Sequence, residues 1–174
     1  RRRPRAPGSR APRTADIYVK GKGAIQKAYL GLMQYMLGLK NHFETKHPEY
    51  AGSGSMYSGY IDMTYFSIFP KSLKDRDLKI AIVFVYDAFR FEVWLSGRNQ
   101  QVMARYWKLF TEHGWNRYMI APQGKWADSV LEHVLVDNPD FRDLEALTRQ
   151  IEQGTLEFIK AVERFLTKTA PINS

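Results

Sequence analysis

Three carboxylates fall in or beside the segments of the chain that are predicted to form strands. Asp62 lies within an aromatic run, Asp87 lies at a tight connection, and Glu92 lies inside the strand that follows. Oxygen ligands on neighbouring strands suit Mg²⁺, so these residues are candidates for a catalytic metal site. The alternative is structural: Asp87 would stabilise the turn through local hydrogen bonds, and Glu92 would pair with Arg90 or Lys79. The structural interpretation is favoured, because surface ion pairs are frequent in proteins.

Histidine is the other residue type that could do chemistry here, and the chain has four. No two of them are spaced four residues apart on a helix with a third ligand in view, so a zinc site is not expected. His133 is the best candidate for a general base, because Glu132 and Asp128 would lie with it on one predicted short helix. Structural roles are favoured for His42 and His113, which lie near the ends of predicted helices.

Aromatic side chains and isolated polar groups favour a binding site over a catalytic one. Aromatic residues make up 14% of the chain, and large rings serve recognition as well as core packing. No complete catalytic constellation is visible in the sequence. We therefore expect a non-enzymatic domain that binds a small ligand, a peptide or a protein through a cleft between sheet and helix. The residues expected to line this cleft are Tyr60, Asp62, Glu92, Trp94 and Arg98.

The spacing of apolar residues predicts the elements that position these side chains. The predicted helices are Ala24–Phe43, Arg98–His113, Asp128–Val136 and Asp143–Thr167, with a separate short helical piece at Asp16–Val19. The predicted strands are Tyr57–Phe69, Ile80–Tyr86, Arg90–Ser96 and a short one at Arg117–Ala121. This order, α-β-β-β-α-β-α-α, indicates an α+β fold in which a mainly antiparallel sheet of three to four strands packs against helices.

Two of these strands carry specific expectations. The run Ile80–Tyr86 is almost continuously apolar, as in a central strand that is covered on both faces. In the next strand, Glu92 alternates with Phe91 and Val93, so its carboxylate should lie on the opposite face of the sheet. The opening helix, Ala24–Phe43, is expected to pack against these strands in one hydrophobic sandwich.

The net charge of +8 is concentrated at the amino end of the chain. Residues 1–14 contain six of the 26 basic residues and no acidic residue, which leaves a formal charge of only +2 for the rest. Without large apolar side chains this segment cannot order itself, so we expect a disordered tail. The tail could bind nucleic acid; alternatively, the segment is not native to the protein. Its arginines are Arg1, Arg2, Arg3, Arg5, Arg10 and Arg13.

The remaining organisation follows from length and composition. One globular domain is expected over residues 15–168, with a carboxyl-terminal tail at 169–174, because a domain usually has about 100–200 residues. The chain has no cysteine, which excludes disulfides, thiolate nucleophiles and cysteine-ligated metal clusters. No apolar run approaches the roughly 18 residues that span a bilayer. We therefore expect a cytoplasmic protein without a membrane partner.

Five strings of residues stand in one order along the chain: IQKAYLGLM at 25–33, SGYIDMTYF at 58–66, RFEVWLSGRN at 90–99, VDNPDF at 136–141 and QIEQG at 150–154. Together they resemble a family of uncharacterised bacterial proteins of about this length. The resemblance runs from roughly residue 16 to residue 166 and omits the arginine-rich segment. It implies a compact cytoplasmic bacterial protein and supplies no catalytic residues.

The order helix, three strands, helix, strand is also similar to the core of the restriction-endonuclease-like nucleases. Such enzymes place an Asp on one strand and a Glu-x-Lys on the next, and these residues hold a metal ion near an attacking water. Asp62 or Asp87, with Glu92, Val93 and Trp94, would take those positions, although Trp94 stands where the lysine is expected. This resemblance implies an alternative function, a metal-dependent phosphodiesterase or nuclease that uses Mg²⁺.

Overall fold

The computed structural model of the protein describes residues 14–52, 54–59, 62–124 and 127–170. The helices are α1 (Thr14–Lys46), α2 (Lys71–Lys74), α3 (Gln100–Glu112) and α4 (Leu144–Thr169), with a 3₁₀ turn at Pro48–Tyr50. The strands are β1 (Tyr57–Ser58), β2 (Met63–Ile68), β3 (Leu78–Val85), β4 (Arg90–Gly97), β5 (Met119–Ile120) and β6 (Leu131–Asp137). No helix in these ranges is long and apolar enough to cross a membrane.

The six strands form one antiparallel sheet in the order β1-β2-β3-β4-β6-β5. β3 pairs with β2 on one side and with β4 on the other, and most of its side chains are buried. Ile80, Ile82 and Phe84 are buried on one face of β3, and Ala81 and Val83 are buried on the other. Burial on both faces accounts for the continuous apolar run. The predicted α+β class, with an antiparallel sheet packed against helices, is confirmed.

The helices lie against one face of the sheet, and the core is formed there. One row of register partners on this face consists of Phe66, Ile82, Val93 and His133. Gly154 of α4 lies so close to Leu135 of β6 that an added Cβ would come within 2.7 Å of its side chain. The glycine, a weak helix former, therefore allows α4 to approach the sheet closely.

The chain divides into two compact units, of which the first ends at Tyr35 and the second begins at Met36. This division falls within α1. In the second unit, Met36, Leu39 and Phe43 on the last turns of α1 are buried. The ring of Phe43 lies 6.0 Å from that of Phe66 on β2. Packing of the opening helix against the strands is therefore present at its carboxyl end.

The predicted helix at Asp128–Val136 is wrong, because this segment contains β6. Its apolar residues recur at three- and four-residue steps, but several of them are valines, and β-branched side chains fit a strand better than a helix. β6 pairs with β4 from Leu131 to Asp137. Pairing along the second edge of β4 satisfies backbone groups that a helix at this position would leave without partners.

The aromatic run Tyr57–Phe69 is two strands rather than the single predicted one. The N–H of Gly59 donates to the carbonyl oxygen of Met63 over 2.8 Å, and this bond folds β1 back onto β2. A Cβ at Gly59 would lie 2.4 Å from that same oxygen, so the turn requires glycine. With β1, β2 and β6 counted, the sheet has six strands instead of three to four.

The predicted break between Asp16–Val19 and the opening helix is also wrong. α1 continues through Gly21 and Gly23 as one helix. A glycine inside a helix costs about 1 kcal/mol relative to alanine. That cost weakens a helix but does not by itself end one.

Candidate functional site

The sheet face opposite the helices carries the charged and aromatic side chains of the candidate site. Because successive residues of a strand point to opposite faces, the register identifies the residues that share this face. One row of partners is Tyr65, Val83, Glu92 and Val134, and the next is Ser67, Ala81, Trp94 and Glu132. We call this surface the polar face and define it by Tyr57, Tyr65, Lys79, Arg90, Glu92, Trp94 and Glu132.

Glu92 is the buried charge of the polar face, with only 4% of its surface exposed. Its Oε1 accepts a hydrogen bond from Arg90 Nε at 2.5 Å, and its Oε2 accepts one from Trp94 Nε1 at 2.6 Å. Arg90, Glu92 and Trp94 are alternate residues of β4. Alternate residues of a strand share one face, so strand geometry alone brings these side chains together. A buried carboxylate is tolerated when it is paired and hydrogen-bonded, and Glu92 meets both conditions.

The backbone beneath Glu92 is irregular. The register between β4 and β6 shifts between Phe91 and Glu92. Such bulges redirect side chains and are frequent next to functional sites. Here the extra residue is Leu135 of β6, because Phe91 pairs with Val136 and Glu92 with Val134.

Glu132 is the second carboxylate of the polar face, and it lies directly opposite Trp94 in the register. Its Oε1 accepts a hydrogen bond from Ser129 Oγ at 2.5 Å. Burial raises the pKa of Glu132; the Ser129 hydrogen bond and the charge of Arg90 oppose this rise, and the charges of Glu92 and Asp128 add to it. Glu132 is therefore a carboxylate whose charge is only partly compensated by its surroundings.

Tyr57 and Tyr65 extend the polar face toward the β1 edge of the sheet. Their ring centroids lie 5.0 Å apart, and Lys79 Nζ lies 6.0 Å from the centroid of the Tyr65 ring. Burial raises the pKa of Tyr65, and the neighbouring Tyr57 and Asp128 add to the rise. This end of the face thus combines two neighbouring aromatic rings with a cation.

Of the residues expected to line a cleft, the structure brings Glu92 and Trp94 together on the face opposite the helices. Asp62 lies in the loop before β2, where its Oδ1 accepts a hydrogen bond from the N–H of Met63 at 2.8 Å. Arg98 follows β4 at the other end of the sheet and pairs with Asp77 at 3.1 Å. Tyr60 and the six arginines of residues 1–13 lie outside the described residues.

Asp62 and Asp87 lie at one end of the β2–β3 pair, where the N–H of Tyr86 donates to the carbonyl oxygen of Asp62 at 3.0 Å, whereas Glu92 lies within β4. Asp87 is exposed in the turn between β3 and β4, where the N–H of Phe89 donates to the carbonyl oxygen of Tyr86 at 3.1 Å. Asp62 bonds to its own loop, and Glu92 is held by Arg90. In the part of the chain that the structure describes, no group of three histidine, cysteine or carboxylate side chains could hold a metal ion.

His133 does not lie on a helix with Glu132 and Asp128, as the general-base hypothesis required. His133 and Glu132 are neighbours on a strand, so their side chains point to opposite faces of the sheet. The His133 ring lies 4.5 Å from that of Tyr118 on the helix-covered side. Burial lowers the pKa of His133, and the charge of Glu157 opposes this. His133 and Glu132 therefore cannot act as a pair.

A second charged cluster, which the sequence did not reveal, lies on the helical side. Glu152 of α4 bonds through Oε2 to His42 Nε2 at 2.8 Å and through Oε1 to His47 Nε2 at 2.7 Å. More than a hundred residues separate each histidine from Glu152 in the chain. A link of this kind depends on the packing of α1 against α4, which no local pattern encodes.

Glu132 is the residue of the polar face that sequence reasoning missed. Because this segment was predicted to be a helix, Glu132 was expected to lie with His133, and its position opposite Trp94 was not expected. The β-branched residues Val130, Val134 and Val136 were the available signal for a strand in this segment.

Comparison with known proteins identifies one family. The model of a domain of unknown function (DUF7000) matches residues 17–166, which is most of the chain. The match confirms the resemblance to an uncharacterised family over this range. No curated protein and no solved structure matches the chain.

Proposed function

The chain belongs to the DUF7000 family, and we propose that it is a non-enzymatic recognition domain that binds a peptide through the polar face. The observation that carries this proposal is the buried carboxylate of Glu92, held by Arg90 and Trp94 on the sheet face opposite the helices. A buried ion pair is often no more stabilising than apolar residues of the same size. Its presence at the centre of a sheet is therefore better explained by recognition than by stability.

The residue types on the polar face support binding. Trp, Tyr and Arg are enriched among the side chains that dominate binding energy at interfaces. The polar face presents Trp94, Arg90, Tyr57 and Tyr65 together, and Tyr57 is 51% exposed. The hydrogen bonds to Glu92 fix both Arg90 and Trp94, so less side-chain freedom is lost when a partner binds.

The size of the face favours a peptide over a large folded partner. The polar face is formed by five strands of two to eight residues. With a strand spacing of about 4.8 Å and a rise of about 3.3 Å per residue, they present roughly 500 Å². A standard protein–protein interface buries about 800 Å² on each partner. A short extended peptide therefore fits the polar face better than a globular surface does.

The hydrogen bonding of the carboxylates favours binding over catalysis. Both oxygens of Glu92 already accept hydrogen bonds from side chains of β4, and Asp62 bonds to the backbone of its own loop. A general base or metal ligand must reach substrate, water or metal, and Glu92 is almost fully buried. The arrangement instead keeps the side chains that surround Glu92 rigid.

The proposal can be tested with peptides selected from a random phage-displayed library against the immobilised domain. Calorimetry then gives their affinities for the wild type, for Trp94→Ala and for the control Arg149→Ala, which removes an exposed cation from α4. We expect Trp94→Ala to weaken binding at least about tenfold and Arg149→Ala to leave it unchanged. Unchanged affinity in Trp94→Ala, with native circular dichroism, would refute the polar face as the binding site.

The same material tests the nuclease alternative. The wild type is incubated with supercoiled DNA and with RNA in the presence of Mg²⁺ or Mn²⁺, and its melting temperature is measured with and without the metal. An ion that binds only the native state must raise this temperature. Metal-dependent nicking that Glu92→Gln abolishes would contradict the non-enzymatic proposal.

A further inference from the structure

The two carboxylates of the polar face differ in how their charges are compensated. Glu92 forms an ion pair with Arg90. Glu132 accepts its hydrogen bond from the hydroxyl of Ser129, which is a neutral donor. Among the described residues, no cation is in ion-pair contact with Glu132. Arg90 attracts Glu132 without an ion-pair contact, whereas Glu92 and Asp128 repel it. The charge of Glu132 is therefore only partly compensated.

Glu132 has an aromatic neighbour across the strands. Trp94 lies directly opposite it in the register of β4 and β6, and residues opposed in this way have Cβ atoms about 4.5–5.5 Å apart. The hydrogen bond from Trp94 Nε1 to Glu92 fixes the orientation of the indole ring. Both Trp94 and Glu132 are partly exposed, so solvent reaches both residues of this cross-strand pair.

We propose that Trp94 and Glu132 form a subsite for a cationic side chain, an arginine or lysine of the peptide that the polar face binds. This inference rests on the proposed function and adds the chemical class of the group recognised. A carboxylate attracts the cation through charge, and an indole ring attracts it through its negative face. A planar guanidinium can stack on the ring and direct its N–H groups at Glu132.

Two further observations agree with this assignment. The polar face already contains one cation–aromatic contact, since Lys79 lies over the ring of Tyr65. Burial and the charges of Glu92 and Asp128 raise the pKa of Glu132 against the opposing effects of the Ser129 hydrogen bond and the Arg90 charge. A bound cation would lower this pKa by stabilising the ionised carboxylate. Binding should therefore weaken as the pH falls through the pKa of Glu132, because the neutral carboxyl group no longer attracts the cation.

The direct test uses two small probes, N-acetyl-arginine amide and N-acetyl-citrulline amide. Citrulline has nearly the same shape as arginine but carries no charge. Each probe is titrated into the ¹⁵N-labelled protein while the indole N–H resonance of Trp94 is followed by NMR. We expect the arginine probe to shift this resonance in a saturable manner and the citrulline probe to leave it in place. Equal shifts with both probes would overturn the assignment.

The matched variant is Glu132→Gln, which keeps the hydrogen-bond acceptor for Ser129 and removes the charge. We expect it to weaken binding of the arginine probe at least about tenfold, as one unit charge at short range allows. Its amide spectrum reports whether the fold is retained. Binding of the arginine probe at wild-type affinity in a folded Glu132→Gln variant would refute the subsite.

The phage-selected peptides separate this inference from the proposed function. Peptides that contain no basic residue, depend on Trp94 and ignore Glu132→Gln would overturn the cationic subsite and leave the polar face as the binding surface. Peptides whose affinity is unchanged by Trp94→Ala would overturn the proposed function itself. Basic peptides that require both residues would support both inferences.

Discussion

Trp94 and Glu92 lie two residues apart on β4 and are joined by a hydrogen bond of 2.6 Å from the indole Nε1 to the carboxylate Oε2. The acceptor is charged and almost fully buried, so this bond should contribute more to stability than an indole bond to a neutral carbonyl. Trp107 provides that comparison, because its Nε1 donates to the carbonyl oxygen of Ala121 at 3.1 Å.

We expect Trp94→Phe to lower the free energy of unfolding by about 2 kcal/mol, the usual contribution of a hydrogen bond to a charged group. Trp107→Phe should lower it by about 1 kcal/mol, as for a neutral acceptor. Urea denaturation of both variants measures the difference. A loss in Trp94→Phe no greater than that in Trp107→Phe would show that the indole does not stabilise the Glu92 carboxylate.

The cluster of Glu152, His42 and His47 predicts a dependence of stability on pH. Burial alone would raise the pKa of Glu152, but the hydrogen bonds and charges of the two histidines lower it below the ordinary value of 4.5. A carboxyl group with a depressed pKa in the folded state stabilises the fold above its unfolded pKa. That contribution is lost as the pH falls through the folded value.

Glu152→Gln should therefore reduce the free energy of unfolding at neutral pH by about 1–2 kcal/mol, a value discounted for the partial exposure of the cluster. The difference from wild type should disappear well below pH 4.5. The control is Glu145→Gln on the same helix, which removes an exposed pair with Arg149 and should change stability by about 0.5 kcal/mol or less. A pH-independent loss in Glu152→Gln would contradict the assignment.

Thr155 is a buried hydroxyl without compensation. The residue is fully buried, and within the described part of the chain its Oγ1 has no hydrogen-bond partner. Valine has the same branched shape and no polar atom, so Thr155→Val should raise the free energy of unfolding by about 1 kcal/mol or more. Denaturant unfolding measures the change.

The control for this variant is Thr167→Val, on the exposed side of α4. Its Oγ1 donates to the carbonyl oxygen of Glu163 at 2.8 Å, and a surface change of this kind should stay within about 0.5 kcal/mol. Destabilisation in Thr155→Val would mean that the hydroxyl is satisfied in solution by a bound water or a shifted side chain.

Two glycines inside helices should respond differently to substitution by alanine. A Cβ at Gly38 of α1 would meet no atom within 4 Å, whereas one at Gly154 of α4 would lie 2.7 Å from the side chain of Leu135. Gly38→Ala should therefore stabilise the protein by about 0.5–1 kcal/mol, the usual gain in a helix interior. Gly154→Ala should be less stable than Gly38→Ala by at least about 1 kcal/mol, because α4 must move away from β6. Thermal melts of the two variants decide this, and equal stabilities would show that Leu135 simply rotates aside.

The sequence predicts the elements whose ends carry local signals. Asn99 accepts a hydrogen bond from the N–H of Val102 at 2.9 Å and caps α3, and Gly114 follows that helix with a φ of 72°. Asp143 caps α4 in the same way, through the N–H of Ala146 at 3.0 Å. Side chains at these positions act on the adjacent backbone, so the sequence alone identifies them.

Elements that depend on distant partners were not predictable. The valine-rich segment of β6 is a strand because β4 lies beside it, and the turn at Gly59 forms because β1 can pair with β2. The candidate site likewise combines one contact that is local in the sequence with one that depends on strand pairing. The bond between Glu92 and Trp94 follows from the strand period, whereas the proximity of Glu132 to Trp94 depends on the register between strands that are separated by α3.

The strand order β1-β2-β3-β4-β6-β5 has a consequence for how the chain folds. The first four strands are neighbours along the chain, and each closes against the previous one through a connection of at most nine residues, which in one case contains α2. Contacts of such short sequence separation form quickly. β6 can pair with β4 only after the intervening chain, which contains α3 and β5, has folded back toward the sheet. We expect pulsed hydrogen exchange during refolding to protect the amide of Ile82 before that of Val134; simultaneous protection would show that the sheet assembles in one step.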